Sequence, residues 1–130
     1  MNFTSQICTT EEQSERLLAL GLKRETADMG IVKSTNEIYV GCPTDYSFEN
    51  GLHIPAWSLH RLIEMMPQWI HTISGSFKST IDQGKLVCYR KISDEVQTFV
   101  FGHTSLYDSI IDIIEKLIKE DHFNKEYLEE

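Results

Sequence analysis

His60 and Glu64 lie four residues apart in a stretch punctuated as a helix, so their side chains would share one face, with His53 just upstream. An imidazole and a carboxylate so placed suit zinc or a late transition metal. One such pair falls short of a full ligand set, however, and the same spacing arises on any solvated helix face. Cys42, beside Pro43, is the thiol best placed to act as a nucleophile, with His53 or His103 as its base. That chemistry requires a thiol pKa lowered by an imidazolium or a helix N-terminus, and no local signature supplies either. Cys88, midway along an alternating segment, reads as core. Asp108, Asp112 and Glu115 recur at helical spacing. General acid–base work needs one carboxyl desolvated and its neighbour not; spacings of three and four more simply make the wet side of a helix. Ser74-Gly75-Ser76 and Asp82-Gln83-Gly84-Lys85 are too short for a phosphate loop and open no helix. The residues imply no cofactor.

The aromatic side chains are the stronger candidates for recognition. Trp57 at a helix mouth, Trp69 just past Pro67, and Phe99 with Phe101 on the last strand are either core or an exposed protein-interaction surface.

Charge narrows the partners. Twelve basic residues against twenty acidic ones leave a formal net charge of -8. General nucleic-acid binding needs a basic face to displace phosphate counterions, and the basic clusters here, Lys23-Arg24 and Arg90-Lys91, are short. Acidity serves solubility, or else fits a basic partner or a mimic of nucleic-acid charge. Three scattered cysteines without a C-x-x-C pair argue against a disulfide framework and a thiolate zinc site. Reduced thiols fit a cytoplasmic location. The N-terminus has no signal-peptide pattern, and the longest apolar run, Ile110 to Ile118, is broken by charges well short of a membrane span.

The elements that must position these residues are legible in outline. Thr10 with Gln13 has capping-box spacing, Leu17, Leu18 and Leu20 give an apolar face, and Gly21 suits a left-handed C-cap, predicting a helix over 11–20. Residues 23–30 read as a polar connection. Ile31 to Lys33 and Glu37 to Val40 form a hairpin, and 41–51 reads as loop. A second helix is predicted over 54–67, with Pro55 in its first turn and Pro67 ending it. Four segments, Trp69 to Ile73, Ser76 to Ile81, Lys85 to Ile92 and Val96 to Phe101, have connectors short enough for an antiparallel meander. Leu106, Ile110, Ile113, Ile114 and Leu117 then mark a long helix, capped by Thr104 or Ser105, with a stripe wide enough to cover one face of the meander. The expected fold class is α+β: a single domain over 1–130 in which a meander of about four strands packs on the C-terminal helix. The 31–40 hairpin extends that sheet, two shorter helices lie at its edge or end, and the polar end over 122–130 frays.

Three patterns together resemble a known group. They are Glu12-Gln13-Ser14-x-x-Leu17-Leu18-x-Leu20-Gly21-Leu22, then Thr26-Ala27-Asp28-Met29, then Ile54-Pro55-Ala56-Trp57-Ser58-Leu59-x-x-Leu62 ending in Met66-Pro67. With a last helix opened by Tyr107-Asp108 and closing near Lys119-Glu120, the chain resembles small proteins of unknown function from gut Bacteroidetes and their phages and mobile elements. The resemblance implies a cytoplasmic accessory protein and carries no functional residue to this sequence. The expectation is a non-enzymatic interaction factor with a protein partner. The rival is a small metal- or thiol-dependent enzyme, or ligand-binding protein, built on His53, His60, Glu64 and Cys42. Meander edges that pair across a two-fold axis would make a homodimer.

Overall fold

The structure, a computed structural model, describes residues 6–82, 86–91, 97–102 and 105–129. It is α+β, with two antiparallel sheets and four helices. The chain divides into two compact units. One runs to Ile63 and takes in the chain from Lys125 onward; the other spans Glu64–Asn124.

The first unit opens with α1 (Glu11–Ala19). Its capping box is formed as the sequence indicates: the Gln13 amide donates to Thr10 Oγ1 at 3.2 Å, and the Thr10 amide donates to Gln13 Oε1 at 3.0 Å. At the other end Gly21 takes φ 102°, and the Gly21 and Leu22 amides donate back to the Leu18 and Leu17 carbonyls. That is the Schellman closure, and only a residue without Cβ adopts this φ at little cost.

A three-stranded sheet follows in the order β2-β1-β3, made of β1 (Met29–Val32), β2 (Ile38–Val40) and β3 (His53–Ala56). The 31–40 hairpin is present, but it belongs to this separate sheet and does not extend the meander. Residues 41–51 are not all loop, because α2 (Asp45–Glu49) starts at a Thr44 hydroxyl that accepts from the Ser47 amide. With five residues and none buried, α2 leaves no apolar periodicity to read.

The predicted 54–67 helix is shorter than expected. Residues 53–56 form β3, and α3 (Leu59–Met65) begins only after Ser58, whose hydroxyl accepts from the Arg61 amide. Pro55 stands opposite Gly30. The amide of Lys33 donates to the Leu52 carbonyl. By antiparallel alternation, the backbone groups of residue 55 therefore point away from β1, so the absent N–H breaks no ladder bond. A short buried run such as Ile54 to Trp57 cannot be assigned to strand or helix by periodicity alone.

Residues 125–129 are tied down where a frayed end was expected. Leu128 bridges Leu22, the Lys23 amide donates to the Tyr127 carbonyl, and the Glu129 amide donates to the Gly21 carbonyl. The Arg61 guanidinium lies 5.5 Å above the Tyr127 ring.

The second unit is the meander β4 (Trp69–Thr72), β5 (Gly75–Asp82), β6 (Leu86–Lys91) and β7 (Gln97–Gly102), in that spatial order, with α4 (Leu106–Lys119) packed on β6 and β7. Residues 83–85 and 92–96, which join β5 to β6 and β6 to β7, lie outside the described residues. Ile110, Ile113, Ile114 and Leu117 of the expected stripe are fully buried with Ile111 beside them, while Leu106 is half-buried. Ser105 occupies the N-cap position of α4 but its hydroxyl makes no capping bond, and Thr104 lies outside the described residues.

Gly30 is fixed by close packing. A Cβ built there would stand 2.3 Å from Tyr39 Cζ. Gly30→Ala should therefore displace the Tyr39 ring and destabilise the protein by about 1–3 kcal/mol, as overpacking does. Thermal unfolding measures this, and in a Tyr39→Ala background the cost of the alanine should largely vanish.

Candidate functional site

Trp57 is fully buried, so it serves as core and is unavailable as an interaction surface. Its indole Nε1 donates to Thr26 Oγ1 at 2.9 Å, and its backbone amide donates to Thr9 Oγ1 at 3.0 Å. Asp28 accepts from both the amide and the hydroxyl of Ser58, at 2.8 and 2.5 Å, which fixes the start of α3.

Trp69 is 38% exposed on β4, with the Lys78 ammonium 5.9 Å from its ring centroid. Phe99 takes φ 52°, and together with Val100 it stands opposite the single residue Cys88, a bulge in β7. Its ring packs edge-on to Tyr89, against His122, and under the Lys116 ammonium. Phe101 pairs with Val87 and is half-buried. Of the four proposed aromatics, Trp69 alone presents substantial surface.

His60 and Glu64 are both exposed on α3. Among the described residues, no three His, Cys, Asp or Glu side chains converge in a way that could hold a metal ion. His53 instead pairs with Tyr39, Nδ1 to hydroxyl at 2.9 Å, with the two rings edge-on at 5.3 Å.

Cys42 donates to the Arg24 carbonyl at 3.3 Å, while Arg24 Nη1 lies 3.7 Å from its sulfur and bonds the Pro43 carbonyl at 2.6 Å. Arg24 also pairs with Asp45 and lies over the Phe48 ring at 5.3 Å. Burial pushes the Cys42 thiol up, and the neighbouring Arg24 charge offsets this only in part. A raised thiol is the reverse of what a nucleophile requires. The Tyr39 hydroxyl is likewise raised, chiefly by burial. Arg24 and Asp45 border a cavity of about 440 Å³ whose other walls include Leu18, Leu22, Phe48, Glu25, Glu49 and Glu129. Arg24, the one cation among its described lining residues, is already engaged.

A second cavity, of about 340 Å³, is more apolar. Ile7, Cys8, Ile31 and Ile38 form its greasy walls; Thr9, Thr10, Glu11, Asn36 and Gln6 form its rim. Neither cavity is lined by Cys42, His53, His60 or Glu64. The second opens beside β2. On its face of the sheet, Cys8, Ile31, Ile54 and Ala56 form a buried cluster with Met29 against it. Ile38 and Val40 project on that same face but lie beyond the cover, 44% and 85% exposed, with Ile7 at 55% nearby.

The backbone of β2 is equally open. The Val32 amide donates to the Glu37 carbonyl and the Gly41 amide to the Asp28 carbonyl, both at 2.8 Å. Antiparallel alternation therefore turns the N–H and C=O of Ile38 and Val40 away from β1, and no described residue takes them up. Sequence reading placed the exposed aromatics elsewhere and missed this edge. Its one available signal was two aliphatic residues two apart in a strand with neither charge nor proline between them.

Two outcomes test these assignments. Thr26→Val should strand the buried Trp57 N–H and cost about 1–3 kcal/mol in chemical denaturation. Arg24→Gln should raise the Cys42 thiol further, slowing its alkylation by iodoacetamide at neutral pH and moving the pH midpoint of that rate upward, as mass spectrometry of the Cys42 peptide would read.

No protein-family model, curated protein or solved structure matches this chain.

Proposed function

We propose that this chain is a non-enzymatic protein-interaction domain acting as an accessory factor. The observation that carries the reading is the open edge of β2, where exposed Ile38 and Val40 adjoin an apolar cavity. Solvent-facing aliphatic side chains on an unpaired strand are an aggregation liability that monomeric proteins commonly blunt with charge or proline. Retaining them here favours a surface that a partner covers.

The chemistry-bearing side chains support the same reading. His53 is tied to Tyr39, and the Cys42 thiol is held up by burial beside Arg24. The three free cysteines are compatible with a reducing cytoplasmic setting. No helix among the described residues is long and apolar enough to cross a membrane. A mobile-element origin rests on the sequence resemblance alone.

The test is affinity capture from host lysate on immobilised wild-type protein and on Val40→Lys, with mass spectrometry of what each retains. One near-stoichiometric protein should remain on the wild type through moderate salt and be lost from the variant. Identical retention on both columns, or nothing specific on either, would sink the reading.

A further inference from the structure

We infer that the β2 edge takes an extended peptide segment of its partner, which adds as a fourth strand of the three-stranded sheet, places an apolar side chain in the cavity beside Ile38, and carries basic flanks. This rests on the interaction reading above and names the chemistry of the partner.

The two edges of the sheet differ in kind. On β3 the outward positions are His53 and Pro55, and Pro55 has no N–H to offer an incoming strand, so the ladder there is interrupted. On β2 the outward groups are the N–H and C=O of both Ile38 and Val40, spaced as one side of an antiparallel or parallel ladder needs them. Strand addition of this kind draws its affinity from main-chain bonds and its selectivity from pockets that receive alternate side chains. The cavity of about 340 Å³, walled by Ile7, Cys8, Ile31 and Ile38, lies on the face that such alternate side chains would reach.

Charge separates a foreign segment from a second copy. The unit bearing β2 holds eleven acidic and six basic residues, a balance of -5. Glu37 immediately precedes β2, and Glu11 lies on the cavity rim, where Lys33 meets it at 3.7 Å. Two copies meeting at β2 would bring like charges together, whereas a segment flanked by Lys or Arg is drawn to the same edge.

The experiment is selection of a phage-displayed library of random linear peptides on the immobilised full chain, followed by synthesis of an enriched peptide. Enriched sequences should alternate apolar residues with others and end in Lys or Arg. Binding should weaken as salt is raised and should fall roughly tenfold or more with Val40→Lys, as for an interface hot spot. Val40→Pro, which removes the outward N–H without adding charge, should weaken it similarly. So should N-methylation of alternate peptide amides. Unchanged circular dichroism would confirm that the variants fold, as expected for a side chain 85% exposed.

Peptides that are lost with Val40→Lys but bind normally to Val40→Pro and tolerate N-methylation of alternate amides would overturn strand addition while leaving the interaction reading at β2 intact. Failure to enrich any peptide would overturn both. Sedimentation of the wild type at twice the chain mass, reverting to one with Val40→Lys, would replace the foreign segment with a second copy.

Discussion

Much of the first unit depends on the burial of one indole. Trp57 has no exposed surface, and its polar groups are met from two distant stretches of chain: Thr26 takes the indole N–H, and Thr9 takes the main-chain amide while donating its own amide to the Trp57 carbonyl. An unmet indole N–H in such a setting would be expensive. The same Thr9 hydroxyl lies 2.8 Å from Ser14 on α1, and the Thr26 hydroxyl donates to the Lys23 carbonyl at 2.6 Å. One side chain thus ties together the N-terminal segment, the turn before β1, and the passage from β3 into α3. Cys8, next to Thr9, is one of the walls of the apolar cavity, so the bonds to Trp57 hold the chain directly beside it.

How much of this was legible follows from the range of the interactions. The cap of α1, its glycine closure, the meander and α4 depend on residues close in sequence or on a sustained period, so they can be read directly. The stretch from Ile54 to Ala56 cannot, since it is buried all round and its identity as β3 is set by pairing with β1. Thr44 and Ser47 start α2 by a local bond, but five residues with none buried give no stripe to notice. The bulge at Phe99 lies beyond period-two reasoning, because the extra residue appears only when β7 is set against β6.

The candidate surface was illegible for a different reason. Aromatic residues draw attention by size, yet Trp57 is consumed by the core, and Phe99 is packed against Tyr89, His122 and Lys116. Ile38 and Val40 look like ordinary strand residues. What distinguishes them is that β2 ends a sheet whose cover, supplied by Cys8 and its neighbours, stops short of them. Exposure of this sort is a property of the tertiary arrangement. The thiol and imidazole candidates show the converse: their types suggested chemistry, and their surroundings, Arg24 for Cys42 and Tyr39 for His53, give them structural work.

Pro55 has a consequence for assembly. Endless stacking of sheets requires that each added copy expose a fresh acceptor edge equivalent to the one it covered. Here the margin at β3 is interrupted, because Pro55 beside His53 cannot donate, whereas the ladder on the β2 side is continuous. Whatever joins at β2 meets a poorer edge on the far side, which disfavours propagation through this sheet. A chain with aliphatic side chains on an open edge thereby keeps recognition on one side while its other margin resists strand addition.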